Sequence, residues 1–383
     1  MITGGVMLAV VMGVSGPGVF GEPATVPAAV SATLRPVTET EKKAIDYLVA
    51  QQGKDPTGKA LTGPKEERAW MPQAGPGVTA LILKGLVESG MKADDPVVVK
   101  GLAFIETFRQ TDGGYYKNSN GNYNTSVVLS LFPLLPGDGY KAQIKGMQDF
   151  LKSVQEMDGK TDEGGKAVTK DHPWHGGMGY GGKGAARPDL SNTSFAIEAL
   201  RESGVPANDP AIQAALMYVS RCQLNSETND QPFAKGQTAG SFIYSSSNER
   251  AGGQVLAGYG SMTYAGLKSF LHAGLTKDDP RVKKAWSWLM ETWTLDKNPG
   301  TDDEGGLFYY YHMFAKTLQI WGENNPVDAK GVKHDWRKEL ETKLAAIQHT
   351  DGSFINAKAQ RWMEGNPVLA TTYVLLALEE ARR

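Results

Sequence analysis

The chain has 383 residues, 40% of them hydrophobic, which is enough apolar content for a substantial buried core. Forty basic residues against 42 acidic ones give a formal charge of −2, and without a basic excess no nucleic-acid partner is expected. The single cysteine, Cys222, excludes an internal disulfide and a zinc site built from several cysteines.

The first segment of the chain is apolar and rich in small residues. Residues 5–14 fit the hydrophobic region of an export signal, although the first basic residue, Arg35, comes only after them. We expect a signal peptide and flexible leader over residues 1–38, which favours an exported protein. The alternative is a disordered leader on a cytoplasmic protein. Glycines interrupt the stretch too often for a membrane helix, so no integral membrane span is predicted.

A helical hairpin recurs along the rest of the chain. In its first clear copy, the apolar spacing of Leu81, Ile82 and Leu86 predicts a buried helix that ends at Gly90. The turn that follows finishes in Asp95-Pro96, where an N-cap acid and a first-turn proline begin the second helix. Two further copies carry the same dipeptide at Asp209-Pro210 and Asp279-Pro280.

Weaker copies bring the total to six hairpins. We predict inner helices that begin near residues 77, 122, 190, 261, 308 and 367, and outer helices that begin near 42, 96, 141, 210, 280 and 335. Because the chain starts with an outer helix and ends with an inner one, this pair closes the ring. The prediction is therefore a single all-α domain over residues 39–383, an (α/α)6 toroid of six helical hairpins. The long connections all lead into inner helices, so loops and helix N-termini gather at one mouth, the expected ligand site.

Several outer helices end in a glutamine that is followed by a glycine and an aromatic residue, as in Gln110, Gly114 and Tyr116. This pattern resembles the QW repeat of squalene and hopene cyclases. Together with the six hairpins, it makes the chain similar to the terpenoid cyclase and protein prenyltransferase superfamily, near proteins with prenyltransferase and squalene oxidase repeats. The resemblance implies a central cavity for an isoprenoid or another hydrophobic ligand.

The chain departs from two motifs that the resemblance implies. Cyclases of the superfamily protonate an alkene with a DXDD motif, of which only Asp189 remains here, because Ser191 and Asn192 occupy the later positions. The usual cyclisation chemistry is therefore doubtful, and we expect the helix N-terminus to lower the pKa of Asp189. His312 resembles the zinc-binding histidine of protein prenyltransferases, with residues 302–304 acidic before it, but no cysteine accompanies them. We predict no metal and no cofactor.

Nine residues are candidates for the site. As acids or bases we single out Asp189, His312 and Glu364, and as ligand contacts Trp174, His175, Tyr180, Asn192, Tyr264 and Trp362. Each has a structural alternative: the glycine-rich segment 174–180 could be a packed Ω-loop, Glu364 a helix cap, and His312 a hydrogen-bonded core residue. The starts of two inner helices, 124–126 and 192–194, are interpreted as caps.

Two classes of function agree with these features. The first is a terpenoid cyclase-like or prenyltransferase-like toroid that binds an isoprenoid and stabilises cations with aromatic rings. The second is an exported toroid without catalysis that binds a glycan, lipid or protein segment, or an (α/α)6 enzyme that cleaves polysaccharides with paired carboxylates. A deep apolar chamber would favour the first class and a shallow aromatic groove edged with carboxylates the second.

Overall fold

The computed structural model describes residues 34–55, 57–181, 187–246, 257–301, 305–359 and 361–383, so most of the predicted leader lies outside it. In these residues the chain forms twelve α-helices, joined by short 3₁₀ turns and isolated β-bridges. The inner helices are α2 (Pro76–Glu88), α4 (Gly121–Leu131), α6 (Leu190–Glu202), α8 (Gly260–His272), α10 (Leu307–Trp321) and α12 (Pro367–Arg382). The outer helices are α1 (Glu39–Gln51), α3 (Pro96–Glu106), α5 (Lys141–Val154), α7 (Pro210–Cys222), α9 (Pro280–Glu291) and α11 (Trp336–Ile347).

Burial separates the two sets of helices into layers. Every residue of α12 from Val368 to Arg382 is buried, whereas α5 buries only one face. Each inner helix packs against the next, and α12 packs against α2, so the inner layer is a closed ring. All twelve helices begin within three residues of the predicted positions, and the predicted (α/α)6 toroid is confirmed.

The two ends of the described chain meet and complete the outer layer. The amide of Arg35 donates to the carbonyl of Arg382 at 3.1 Å. The guanidinium of Arg35 donates to the carbonyl of Ala381 at 2.6 Å and forms an ion pair with Glu341 of α11 at 2.6 Å. The first outer helix packs on the last inner helix, α12, and beside the last outer helix, α11, as the ring closure predicted from the sequence requires.

Glutamines at the ends of outer helices join neighbouring outer helices. In each case the Nε2 group donates to a carbonyl in the first turn of the next outer helix, and these contacts are called glutamine bridges below. They join Gln52 to Val97 at 2.9 Å, and Gln155 to Ala211, Gln223 to Arg281 and Gln348 to Thr40 at 2.8 Å each. Gln110 differs, since it donates to Phe108 and Tyr116 in its own hairpin.

Close backbone approach accompanies the glutamine bridges. Gly352 has φ +89°, and a Cβ atom there would lie 2.3 Å from the carbonyl oxygen of Lys43 in α1. Gly176 has φ +85°, and its Cβ would lie 1.8 Å from the carbonyl oxygen of Ala214 in α7. Only glycine satisfies both requirements, a left-handed conformation and a backbone contact without a side chain. These glycines set how closely the next outer helix packs.

The C-terminal ends of the inner helices are joined by buried ion pairs. The Nζ atom of Lys316 in α10 lies 2.8 Å from a carboxylate oxygen of Glu202 in α6 and 2.8 Å from one of Glu380 in α12. Lys268 of α8 forms an ion pair with Glu198 of α6. With Lys84 and Glu88, these residues form what we call the basal charge cluster. Because α6 and α10 are not neighbours in the ring, the cluster lies across its interior. No described helix combines the length and apolar character that a membrane span requires.

Candidate functional site

A cavity of about 560 Å³ lies at the mouth of the ring. The first turns of all six inner helices contribute to its wall, through residues that include Val78, Tyr123, Asn192, Met262, Tyr309 and Leu369. Backbone N–H groups without helical partners occur in these first turns, which gives the mouth a partial positive charge. The predicted position of the site, at the mouth and within the ring, agrees with this cavity.

Aromatic rings form a continuous wall in the cavity. The ring of Tyr123 lies edge-on to that of Phe195, with 5.8 Å between the ring centroids. The centroid of Phe195 lies 6.3 Å from that of Tyr309. The ring of Tyr309 in turn lies edge-on to that of Tyr373, with 5.6 Å between the centroids. The hydroxyl of Tyr309 is also hydrogen-bonded to that of Ser191 at 2.9 Å. The wall therefore presents mainly ring faces and edges, with hydroxyl groups fixed at defined points.

Asp189 lies directly behind the cavity wall and is only 3% exposed. It is the N-cap of α6, and its carboxylate accepts hydrogen bonds from the backbone N–H of Asn192 at 2.8 Å and from the side-chain Nδ2 of Asn192 at 2.7 Å. Burial nevertheless raises the pKa of Asp189 to about 6, because the loss of solvation outweighs these hydrogen bonds. The prediction that the helix N-terminus would lower this pKa was wrong.

Two tyrosines connect Asp189 to the opening of the cavity. Tyr244 lies close to the Asp189 carboxylate, whose pKa it lowers, and Tyr180 lies close to Tyr244, whose pKa it raises. Both tyrosines line the cavity and are partly exposed. The three residues form a row of polar groups from the opening of the cavity to a buried carboxyl group. Tyr180 was a sequence candidate, whereas Tyr244 was not identified from the sequence.

Glu364 lines the cavity but is fully buried and caps a helix. Its carboxylate accepts from the backbone N–H groups of Leu307, Phe308 and Tyr309 at 2.9–3.0 Å, and from Nδ2 of Asn356 at 3.0 Å. Burial raises the pKa of Glu364 above its usual value. The helix-cap alternative therefore describes its contacts, although the helix is α10 and not α12, which follows it in the sequence.

Three of the predicted ligand contacts, Tyr180, Asn192 and Trp362, line the cavity. Trp362 is 47% exposed and has φ +59°, an uncommon conformation for a bulky residue, and it packs beside Gly306 at the start of α10. Tyr264 does not line the cavity. Its side chain packs between the helices, and the centroid of its aromatic ring lies 5.7 Å from that of Tyr310 and 5.3 Å from that of Phe314.

Trp174 and His175 lie away from the cavity, where their loop packs on the outer helix α7. Both side chains are buried, and Gln155 holds the loop by donating to the carbonyl of Gly176 at 2.8 Å. Burial lowers the pKa of His175. The position corresponds to the packed Ω-loop alternative.

His312 lies in α10 between the cavity and the basal charge cluster. Its ring is stacked on that of Tyr373 at 5.9 Å, and burial lowers its pKa to about 3, so the imidazole is neutral near pH 7. Among the described residues, its Nδ1 atom has no hydrogen-bond partner. The acidic residues 302–304 lie outside the described part of the chain, and no group of three or more metal-ligating side chains occurs within it.

A threonine near the start of most inner helices holds the preceding loop through a hydrogen bond, a role that was not predicted from the sequence. Thr125 accepts a hydrogen bond from the backbone N–H of Tyr115 at 2.9 Å, and Thr193 from that of Met178 at 3.0 Å. Thr79, Thr263 and Thr371 make the same contact to the loops before their helices. The interpretation of 124–126 and 192–194 as caps was therefore wrong for these threonines, which fix the loops that surround the cavity. The recurrence of threonine at this position was the available signal.

Comparisons with known proteins identify structures of the same architecture but no sequence relatives. No protein-family profile and no curated protein sequence matches the chain. A variant of the type II terpene cyclase MstE from Scytonema, in complex with geranylgeranyl dihydroxybenzoate, matches with a TM-score of 0.57 and 12% identity, over 90% of this chain and 97% of that one.

Two carbohydrate-active proteins match in the same way. An unsaturated glucuronyl hydrolase specific for heparin has a TM-score of 0.55 and 13% identity, over 90% of this chain and 96% of that one. An alpha-amylase from Clostridium perfringens has a TM-score of 0.50 and 11% identity, over 90% of this chain and 99% of that one. The toroid fold is shared with both groups. At these identities the likeness concerns the fold alone.

Proposed function

We propose that the protein binds an isoprenoid, or an apolar molecule of similar size, in the central cavity, and that Asp189 supplies a proton to it. The observation that carries this proposal is the aromatic cavity with a raised-pKa carboxyl group directly behind its wall. The cavity volume of about 560 Å³ lies within the range of small-molecule sites.

The aromatic wall supports binding of an apolar chain and stabilisation of a cation. Tyr123, Phe195, Tyr309 and Tyr373 contact one another in sequence through two edge-to-face pairs and one tilted pair, so their positions are fixed before a ligand arrives. Ring faces attract positive charge, by about 2 kcal/mol or more where water is excluded. A carbocation that forms in the cavity would therefore be stabilised without rearrangement of the protein.

The two tyrosine hydroxyl groups beside Asp189 support proton transfer. When Asp189 is protonated, its O–H group donates to Tyr244, and the Tyr244 O–H group can then transfer its proton to a carbon–carbon double bond. The O–H bond of Tyr244 breaks as the Asp189 proton replaces it, the π electrons form a C–H bond, and the positive charge passes to the substrate. A proton from solvent returns through Tyr180 and Tyr244 to the Asp189 carboxylate.

Glycoside hydrolysis by the same cavity is less well supported. That reaction uses two carboxyl groups, and one of them must act as a nucleophile or as a base toward water. The second candidate, Glu364, already accepts four hydrogen bonds and caps α10. A carboxylate held in this way has no oxygen left to act as a base without releasing the helix.

Native mass spectrometry with geranylgeraniol and heparin-derived oligosaccharides tests the proposal. We expect the alcohol to be retained, and Phe195→Leu to weaken its binding about three- to tenfold, since an aromatic contact contributes about 0.5–1.5 kcal/mol beyond area. Phe150→Leu in the outer helix α5 is the matched control, because Phe150 is also buried but lies outside the cavity.

Asp189→Asn separates binding from chemistry. The variant keeps the size of the side chain but has no acidic proton, so it should retain the alcohol while losing any conversion of a polyprenyl substrate. Retention of oligosaccharides alone, or equal effects of Phe195→Leu and Phe150→Leu, would overturn the proposed function.

A further inference from the structure

A second recess adjoins the central cavity on the rim of the ring. It has a volume of about 560 Å³ and lies between the segment 65–75, the end of α3 and the loop 116–120. We call it the rim groove. Gln73, Ala74 and Asn120 belong to the walls of both spaces, so a ligand that leaves the central cavity on this side enters the rim groove.

The rim groove differs chemically from the central cavity. Its edges carry the exposed polar side chains Lys65, Lys117 and Asn118, whereas aromatic rings dominate the wall of the central cavity. Phe108 is the partly exposed ring of an edge-to-face pair with Phe104, whose centroid lies 5.0 Å away. An aromatic ring edged by hydrogen-bonding groups fits a ring-shaped, hydroxylated ligand, whose C–H face packs on the ring while its hydroxyls reach the polar edge.

A buried amide adds an independent observation. Asn124 lines the rim groove and is only 3% exposed, and among the described residues its Oδ1 atom has no hydrogen-bond partner. Such an acceptor normally has a partner, because leaving it without one costs about 1–3 kcal/mol. In this conformation Oδ1 lies against Gly77 of α2, and rotation of the amide would turn it toward the groove, where a ligand hydroxyl would supply the missing donor.

We infer that the rim groove binds the hydroxylated head group of an amphiphile whose apolar chain occupies the central cavity, which makes the ligand an isoprenoid glycoside or a glycolipid of that kind. The apolar half of this inference rests on the proposed function. The polar half rests on Phe108, Asn124 and the polar edge of the groove.

The test compares geranylgeraniol with its β-glucoside by isothermal titration calorimetry on the full chain. The glucoside should bind about tenfold more tightly than the alcohol, as expected for one or two additional hydrogen bonds. Phe108→Leu and Asn124→Ala should each remove most of this advantage while leaving the affinity for the alcohol unchanged.

Tyr140→Leu is the matched control, because Tyr140 belongs to an edge-to-face pair with Phe132 of the same 5.0 Å spacing and lies outside the groove. Phe108 is only partly buried, so its variant tests the groove even if Asn124→Ala fails to fold. If the alcohol binds and the glucoside binds no better, the rim groove inference is overturned and the proposed function stands. If neither ligand binds, both are overturned.

Discussion

Substitution of Gly352 by alanine tests how strongly the ring depends on close contact between the last outer helix and the first. The φ angle of +89° alone should cost about 1–2 kcal/mol for a residue with a Cβ atom. The new Cβ would also lie 2.3 Å from the carbonyl oxygen of Lys43, so α1 has to move outward. Overpacking of this kind costs about 1–3 kcal/mol. The expected loss in the free energy of unfolding is therefore about 2–5 kcal/mol.

Gly331→Ala provides the control for this measurement. Gly331 has a similar φ of +81°, but within the described part of the chain no neighbouring atom lies within 4 Å of the position of its Cβ. Its loss should be limited to the conformational cost of about 1–2 kcal/mol. Urea denaturation followed by tryptophan fluorescence gives both values, and hydrogen exchange should show faster exchange in α1 for Gly352→Ala only. Equal losses for the two variants would refute the argument that the helix contact is energetically important.

Three further substitutions test the charged groups of the ring. Lys316→Met removes the cation between two buried carboxylates and should lower the free energy of unfolding, measured by urea denaturation, by about 3–5 kcal/mol. Lys42→Met removes one member of an exposed ion pair and should lower it by less than about 1 kcal/mol. Similar losses for the two variants would contradict the argument that burial makes the Lys316 ion pairs important. Because the pKa of Asp189 is raised to about 6, its contribution to stability is complete below pH 4 and is lost as pH rises through 6. Asp189→Asn should therefore remove a decline of about 3 kcal/mol, and an unchanged pH profile would argue against the raised pKa. Glu364→Gln leaves one oxygen for four donors and should destabilise the protein by about 2 kcal/mol, with faster amide exchange in the first turn of α10; unchanged exchange would contradict the cap.

The helices could be predicted from the sequence because their signals are local. The Asp-Pro pairs, such as Asp209-Pro210, fix the starts of outer helices through an N-cap and a first-turn proline, and the structure has α7 beginning at Pro210. Gln348 provides a signal that is only partly visible in the sequence. Its position at a helix end is visible in the sequence, but its partner, Thr40, lies 308 residues away.

The site was harder to predict because its residues come together through tertiary structure. Tyr244 and Tyr373 lie far apart in the sequence, and nothing local distinguishes them from aromatic core residues such as Tyr264. The pKa of Asp189 shows the same limit. Its helix-capping position is local information, whereas the burial that dominates its pKa depends on the surrounding loops.

The glutamine bridge from Gln348 to Thr40 indicates that the ring does not depend on which hairpin comes first in the chain. It has the same form as the bridges between outer helices that are consecutive in the chain, although no covalent connection joins α11 directly to α1. The contact between the first and last outer helices is therefore equivalent to the contacts between consecutive hairpins. A circular permutant that links Arg383 to Leu34 and opens the exposed turn at Asn324 should retain the same ring.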